Sequence, residues 1–105
     1  MITLHIYLRV KAGHEASLER LYREVYVPAI KVQRGFESTT MLRSFGPELT
    51  ATIQGSRDWN YEIDIVFDTE ENRQAWAAGP EHTAAWPKVV ELCDQITWQG
   101  FDLLG

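Results

Sequence analysis

Residues 61–87, YEIDIVFDTEENRQAWAAGPEHTAAWP, change period partway along, and that change decides the fold. Tyr61, Ile63, Ile65 and Phe67 alternate with Glu62 and Asp64, the two-residue repeat of a strand with one dry face. Trp59 and Asn60 extend the alternation upstream, with Trp59 on the dry side. Asp68 or Thr69 can then accept from the first free amides of a helix, Glu70 and Glu71 suit the positive end of its dipole, and Gly79 suits its last turn. Beyond Gly79-Pro80 the spacing stays helical from Glu81 to about Asp94, with a bend expected at Pro87.

Working outward, Ile2, Leu4, Ile6, Leu8 and Val10 alternate with Thr3, His5, Tyr7 and Arg9, a second strand with one dry face. After the turn at Lys11-Ala12-Gly13, residues Leu18, Leu21, Tyr22, Val25 and Tyr26 recur at offsets of three and four, the stripe of an amphipathic helix. Pro28 predicts that this helix kinks or ends at Val27, with a loose turn to Gln33. Gly35 opens an extended run over 36–45. Residues 46–58, containing Pro47 and Gly55, hold no period and read as a long loop or irregular hairpin. Ile96 to Leu104 closes the chain as a fourth strand. The order strand, helix, strand, strand, helix, strand implies an α+β, ferredoxin-like βαββαβ domain over 1–105, an antiparallel sheet with both helices on one face. Its dry face, Leu4, Ile6, Leu8, Ile63, Ile65 and Phe67, should meet Leu21, Val25, Trp76, Val89 and Val90. The opposite face, His5, Tyr7, Arg9, Glu62 and Asp64, is too patterned to be left simply wet. Pairing it with a second sheet would bury those charges only where they find partners.

Composition removes several function classes. With 45% hydrophobic residues in 105, the chain can build a core, yet at that length much surface stays exposed, which favours a homodimer. The net charge of -5, with ten basic residues scattered among fifteen acids, argues against a nucleic-acid groove. Cys93 is the sole cysteine, so there is no internal disulfide and no Cys-based zinc site. No apolar run reaches membrane-spanning length and the N-terminus alternates, so a cytoplasmic protein making no membrane contact is expected.

The candidate chemistry gathers in Arg73–Pro87. His82 and Trp86, four apart, share a helix face, with Trp76 across the Gly79-Pro80 break. Imidazole could exchange a proton with an acidic phenol or enol while the indoles stack on its ring; alternatively the tryptophans are core and His82 bonds locally. Arg73 could meet a substrate carboxylate or pair with Glu70. Tyr22 and Tyr26, also four apart, can reach the same cavity or simply pack, and Phe67 is grouped with them as a lining residue. The polar sheet face offers either an acid/base network or dimer-interface ion pairs. Cys93 continues the Val89 and Val90 stripe as a small hydrophobe. His5, His14 and His82 share no metal-ligand spacing, so no metal is expected, and the glycines form no phosphate loop.

The first strand with KAGHE, then VPAIKVQRGFES, then residues 61–87 resemble the antibiotic-biosynthesis-monooxygenase-like branch of the dimeric α/β-barrel superfamily. The resemblance spans nearly the whole chain outside 46–58. It implies a homodimer whose sheets face each other as a barrel, each subunit holding a ligand cavity between its own sheet and helices. The superfamily includes cofactor-free oxygenases of quinol-like polyketides, haem-degrading enzymes, isomerases and members of no assigned activity, so the fold alone is a weak warrant for function. Haem-degrading relatives carry a Trp that matches Trp76 and, ten residues on, a ligating His whose place is taken here by Trp86. An indole cannot ligate iron axially, and their first-strand Asn has no counterpart in His5-Ile6-Tyr7. The leading expectation is a cofactor-free oxygenase of a planar aromatic or polyketide-like small molecule, with His82 as base, Trp76 and Trp86 shaping the pocket, and neither metal nor flavin. The alternative is a non-catalytic ligand-binding or accessory dimer.

Overall fold

The computed structural model of the chain describes residues 1–53 and 58–105. Four strands, β1 (Ile2–Val10), β2 (Phe36–Arg43), β3 (Tyr61–Phe67) and β4 (Cys93–Asp102), form one antiparallel sheet in the order β2-β3-β1-β4. The helices are α1 (Glu15–Leu21), a π-helical turn over Tyr22–Tyr26, α2 (Val27–Ile30), α3 (Pro47–Ile53), α4 (Glu70–Ala78) and α5 (Pro80–Glu91). This is the ferredoxin-like order read from the alternating strands. None of the described helices is long and apolar enough to cross a membrane.

The core lies where the dry face of the sheet meets the helices. Ile6, Leu8, Ile63, Ile65 and Phe67 from the strands are buried against Leu18, Tyr26, Ile30, Trp76 and Val89 from the helices. Each such side chain contributes on the order of 1.5–3 kcal/mol by leaving water. Leu21 packs against this cluster, as its spacing implied, but Val90 is exposed and Val25 only half-buried. The apolar stripe therefore turns onto Tyr26 and Ile30, one and five residues beyond Val25.

The cause is the treatment of Pro28. The helix neither ends nor breaks at Val27, which keeps helical angles (φ -61°, ψ -48°) and sends its amide to the carbonyl of Tyr22, five residues back. The wider turn accommodates Pro28, which has no amide to donate and a ring that would crowd the carbonyl four residues back. It also rotates the following residues relative to a regular helix, bringing Ile30 to the core.

Three further boundaries differ from the sequence reading. The 46–58 segment holds helix α3, whose Thr50 amide bonds to Gly46 oxygen; residues 54–57, including Gly55, lie outside the described residues. No α3 residue is buried, so the apolar period that would have announced it is missing. Helix α5 ends at Glu91, and Cys93 belongs to β4, opposite Val10 at a shift in register rather than on the helical stripe. Trp59 stands before β3 and meets the ring of Tyr7, on the outer face, at 6.3 Å. There Asn60 breaks the alternation, its side chain taking both the amide and the carbonyl of Val10.

Candidate functional site

Helix α4 carries Arg73 and Trp76, and α5 carries His82 and Trp86. Thr69 starts α4 as its cap, its hydroxyl accepting from the Asn72 amide. Gly79 both ends α4 and begins α5, in extended conformation (φ -83°, ψ 167°). Pro80 follows at the first helical position, where its missing amide costs nothing. The joint lets the two helices approach each other with their aromatic residues in contact.

Trp76 is the anchor of this group, only 2% exposed. Its ring meets Tyr26 edge-on at 5.8 Å and His82 edge-on at 5.0 Å. His82 in turn stacks on Trp86, with centroids 5.8 Å apart and planes 21° apart. Between this wall and the sheet lies a cavity of about 190 Å³, floored by Leu4, Ile6 and Ile65 and flanked by Trp98 of β4. Arg73 and His82 supply its polar edge.

Burial, with a smaller push from the Arg73 charge, lowers the His82 pKa below its ordinary 6.5. The imidazole is thus neutral at pH 7 and able to accept a proton. Among the described residues its ring makes no hydrogen bond, so no carboxylate orients it. Arg73 donates from Nε to both carboxylate oxygens of Glu70, which holds the guanidinium at the cavity rim.

Of the residues singled out in the sequence, Arg73, Trp76, His82, Trp86 and Tyr26 line this cavity. Tyr22 and Phe67 do not. Tyr22 stacks on Tyr26 at 5.8 Å but sends its hydroxyl to Thr39, and it borders a different cleft. Phe67 is wholly buried, edge-on to Phe36 at 6.0 Å. Trp98 was missed, although Ile96 and Trp98 repeat at two-residue spacing and face the same side as Ile6 and Leu8.

The cleft that Tyr22 borders is larger, about 540 Å³, and open. Three of its polar groups bond to one another: the Tyr61 hydroxyl and Arg43 both donate to Glu19, and burial together with Glu19 pushes Tyr61 up to about 12. Cys93, half-buried, has its thiol pushed up to about 11, chiefly by burial, so it stays protonated near neutral pH.

On the opposite face of the sheet, the β1–β3 register sets His5 across from Asp64 and Tyr7 across from Glu62. His5 Nδ1 lies 3.4 Å from Glu62 Oε2, and its Nε2 lies 3.8 Å from Asp64 Oδ2. Burial first, then hydrogen bonding with and repulsion by Asp64, raise the Glu62 carboxyl to about 7 against the lowering pull of His5. Arg9 is turned away to Asp58.

No family model and no curated protein matches the sequence. Solved structures do. SnoaB, a cofactor-independent oxygenase from Streptomyces nogalater, superposes with a TM-score of 0.77 at 17% identity, over 99% of this chain and 93% of that one. A putative antibiotic biosynthesis monooxygenase from Nitrosomonas europaea gives 0.76 at 12% identity over the full length of both chains. A point mutant of MhuD, with two manganese protoporphyrin IX molecules bound per active site, gives 0.76 at 20% identity, covering 99% of this chain and 95% of that one. Others are described as dimeric ferredoxin-like proteins of unknown function. At these identities the likeness is one of fold, and a fold hosts many chemistries. The chain has the ferredoxin-like α+β fold of the antibiotic-biosynthesis-monooxygenase-like proteins that its sequence resembles.

Proposed function

We propose that the protein is a cofactor-independent monooxygenase acting on a small planar phenol or enol, and that it works as a homodimer through facing sheets. The observation that carries this reading is the neutral imidazole of His82, held between Trp76 and Trp86 at a cavity of about 190 Å³. That volume lies below the roughly 300–1,000 Å³ usual for ligand sites. It favours a substrate of one or two fused rings over a full polyketide aglycone or a porphyrin.

In the proposed mechanism the substrate ring lies in the cavity against the Trp76–His82–Trp86 wall, and His82 takes a proton from its activated carbon or hydroxyl. The resulting anion lies beside the Arg73 guanidinium, whose positive potential stabilises it. The electron-rich anion reduces dioxygen and combines with it to a peroxide, and the attacked ring carbon, a C–H in the phenol and a CH2 in its keto form, ends as C=O. One oxygen atom remains in the carbonyl and the other leaves as water, so dioxygen accepts all four electrons that the carbon gives up. The apolar floor keeps bulk water from the peroxide. The similarity of fold to SnoaB, a cofactor-independent oxygenase, supports the reading without fixing the substrate.

A second reading is a ligand-binding or accessory dimer without turnover. It is favoured by the pairing of Arg73 with Glu70 and by the lack of an orienting partner for His82 among the described residues. Oxygen uptake across a panel of hydroquinones, naphthols and anthrones separates the two. The enzyme reading expects uptake with at least one member, reduced about 100-fold or more in His82→Ala. Uptake that is indifferent to that substitution contradicts it.

A further inference from the structure

The pocket chemistry leaves unused the group on the other face of the sheet. We propose that His5, Glu62 and Asp64 bind a divalent transition-metal ion of the zinc class. The three come from two strands locked by an antiparallel ladder, so their backbone positions are fixed before any ion arrives. One ligand atom from each lies within 4.8 Å of the others. Zinc takes nitrogen and carboxylate oxygen at about 2.0–2.2 Å, so small side-chain rotations close the group around an ion. One imidazole nitrogen and two carboxylates suit zinc or its neighbours better than magnesium or calcium, which favour oxygen alone. In the facing-sheet dimer proposed above this face lies toward the partner, so the remaining coordination positions fall to water or to a group of the partner's sheet.

Two observations say that, beyond the His5 ring set between the two carboxylates, this group lacks a counter-charge. Asp64 Oδ1 is shut off from solvent and has no hydrogen-bond partner among the described residues, a state that is costly for a carboxylate oxygen. The residues facing the same side from β4 are Gln95, Thr97, Gln99 and Phe101, and Arg9 of β1 is committed to Asp58. No lysine or arginine of these strands therefore neutralises the two carboxylates. Phe101, its ring 4.8 Å from that of His5, and Tyr7 at 6.4 Å flank the imidazole and limit its rotation. The site faces away from His82, so it stands or falls separately from the oxygenase reading.

The test is calorimetric titration of the full-length, chelator-treated protein with zinc chloride, with magnesium chloride as the comparison. Saturable binding of about one zinc ion per chain is expected, absent with magnesium and weakened about 10-fold or more in His5→Ala and Asp64→Asn, while exposed His14→Ala binds as the parent does. No binding at millimolar zinc, or binding unmoved by His5→Ala and lost in His14→Ala, overturns the proposal. Should the variants fail to fold, cobalt(II) added to the unaltered protein decides. An intense visible band of four- or five-coordinate cobalt, abolished by equimolar zinc, supports the site, and the weak spectrum of the aqueous ion refutes it.

Discussion

His82 is the residue on which the proposed chemistry turns, and its environment has a consequence for stability. The folded protein holds its pKa below the unfolded 6.5, so between the two values the unfolded chain binds more protons. Its contribution to stability is intact above pH 6.5 and falls as the pH drops through the folded value, below which the loss levels off. Thermal midpoints measured from pH 8 to 5 should therefore decline less steeply in His82→Gln than in the parent. Equal slopes would mean that the imidazole titrates as it does in the unfolded chain. The His82–Trp86 pair was legible in the sequence because a spacing of four places side chains on one helix face, and Trp76 because it stands just across the Gly79-Pro80 break. Trp98 was not, because its place at the cavity depends on which strands β4 and β1 bring into register. The His5–Glu62–Asp64 group was visible as a shared polar face, but the closeness of its ligand atoms depends on the same kind of pairing. Two-residue alternation says which face a side chain takes and nothing of its cross-strand neighbour.

At the scale of elements, the strands and the α4–α5 pair follow from periodicity and capping, whereas the segments that departed from expectation lack a buried stripe or carry a backbone exception. Helix α3 buries nothing, and the π turn before Pro28 answers a missing amide and a crowded carbonyl that proline statistics alone would read as a helix end. The entry to β2 rests on Gly35, at φ +80°, where an added Cβ would come within 2.1 Å of Asp68 Oδ1. That carboxylate also receives Asn72 Nδ2, and the Asp68 amide donates to Gly35 oxygen, tying β2 to the start of α4. Gly35→Ala combines a left-handed conformation with a clash and should cost about 1–3 kcal/mol. The denaturation midpoint of the variant in urea checks this, and a midpoint equal to the parent's would show that the β2–α4 tie yields freely.

For the whole molecule, the outer sheet face and the helix-covered face pose different problems. The outer face exposes Leu42 and Phe101 beside its polar cluster, and a chain of this length gains by covering such a surface. Light scattering at micromolar concentration should give twice the chain mass, and a stable monomer would remove the facing-sheet arrangement. The cavity on the other side lies within one chain, between its own sheet and helices, and does not require the partner. The proposed chemistry rests on His82 standing there as a neutral base for a planar ligand. Its imidazole nitrogens can be followed by NMR through a pH titration of the intact protein, alone and with 1-naphthol. The expected midpoint lies below 6.5 and moves when the naphthol is added. A midpoint at or above 6.5 that ignores the naphthol would contradict it.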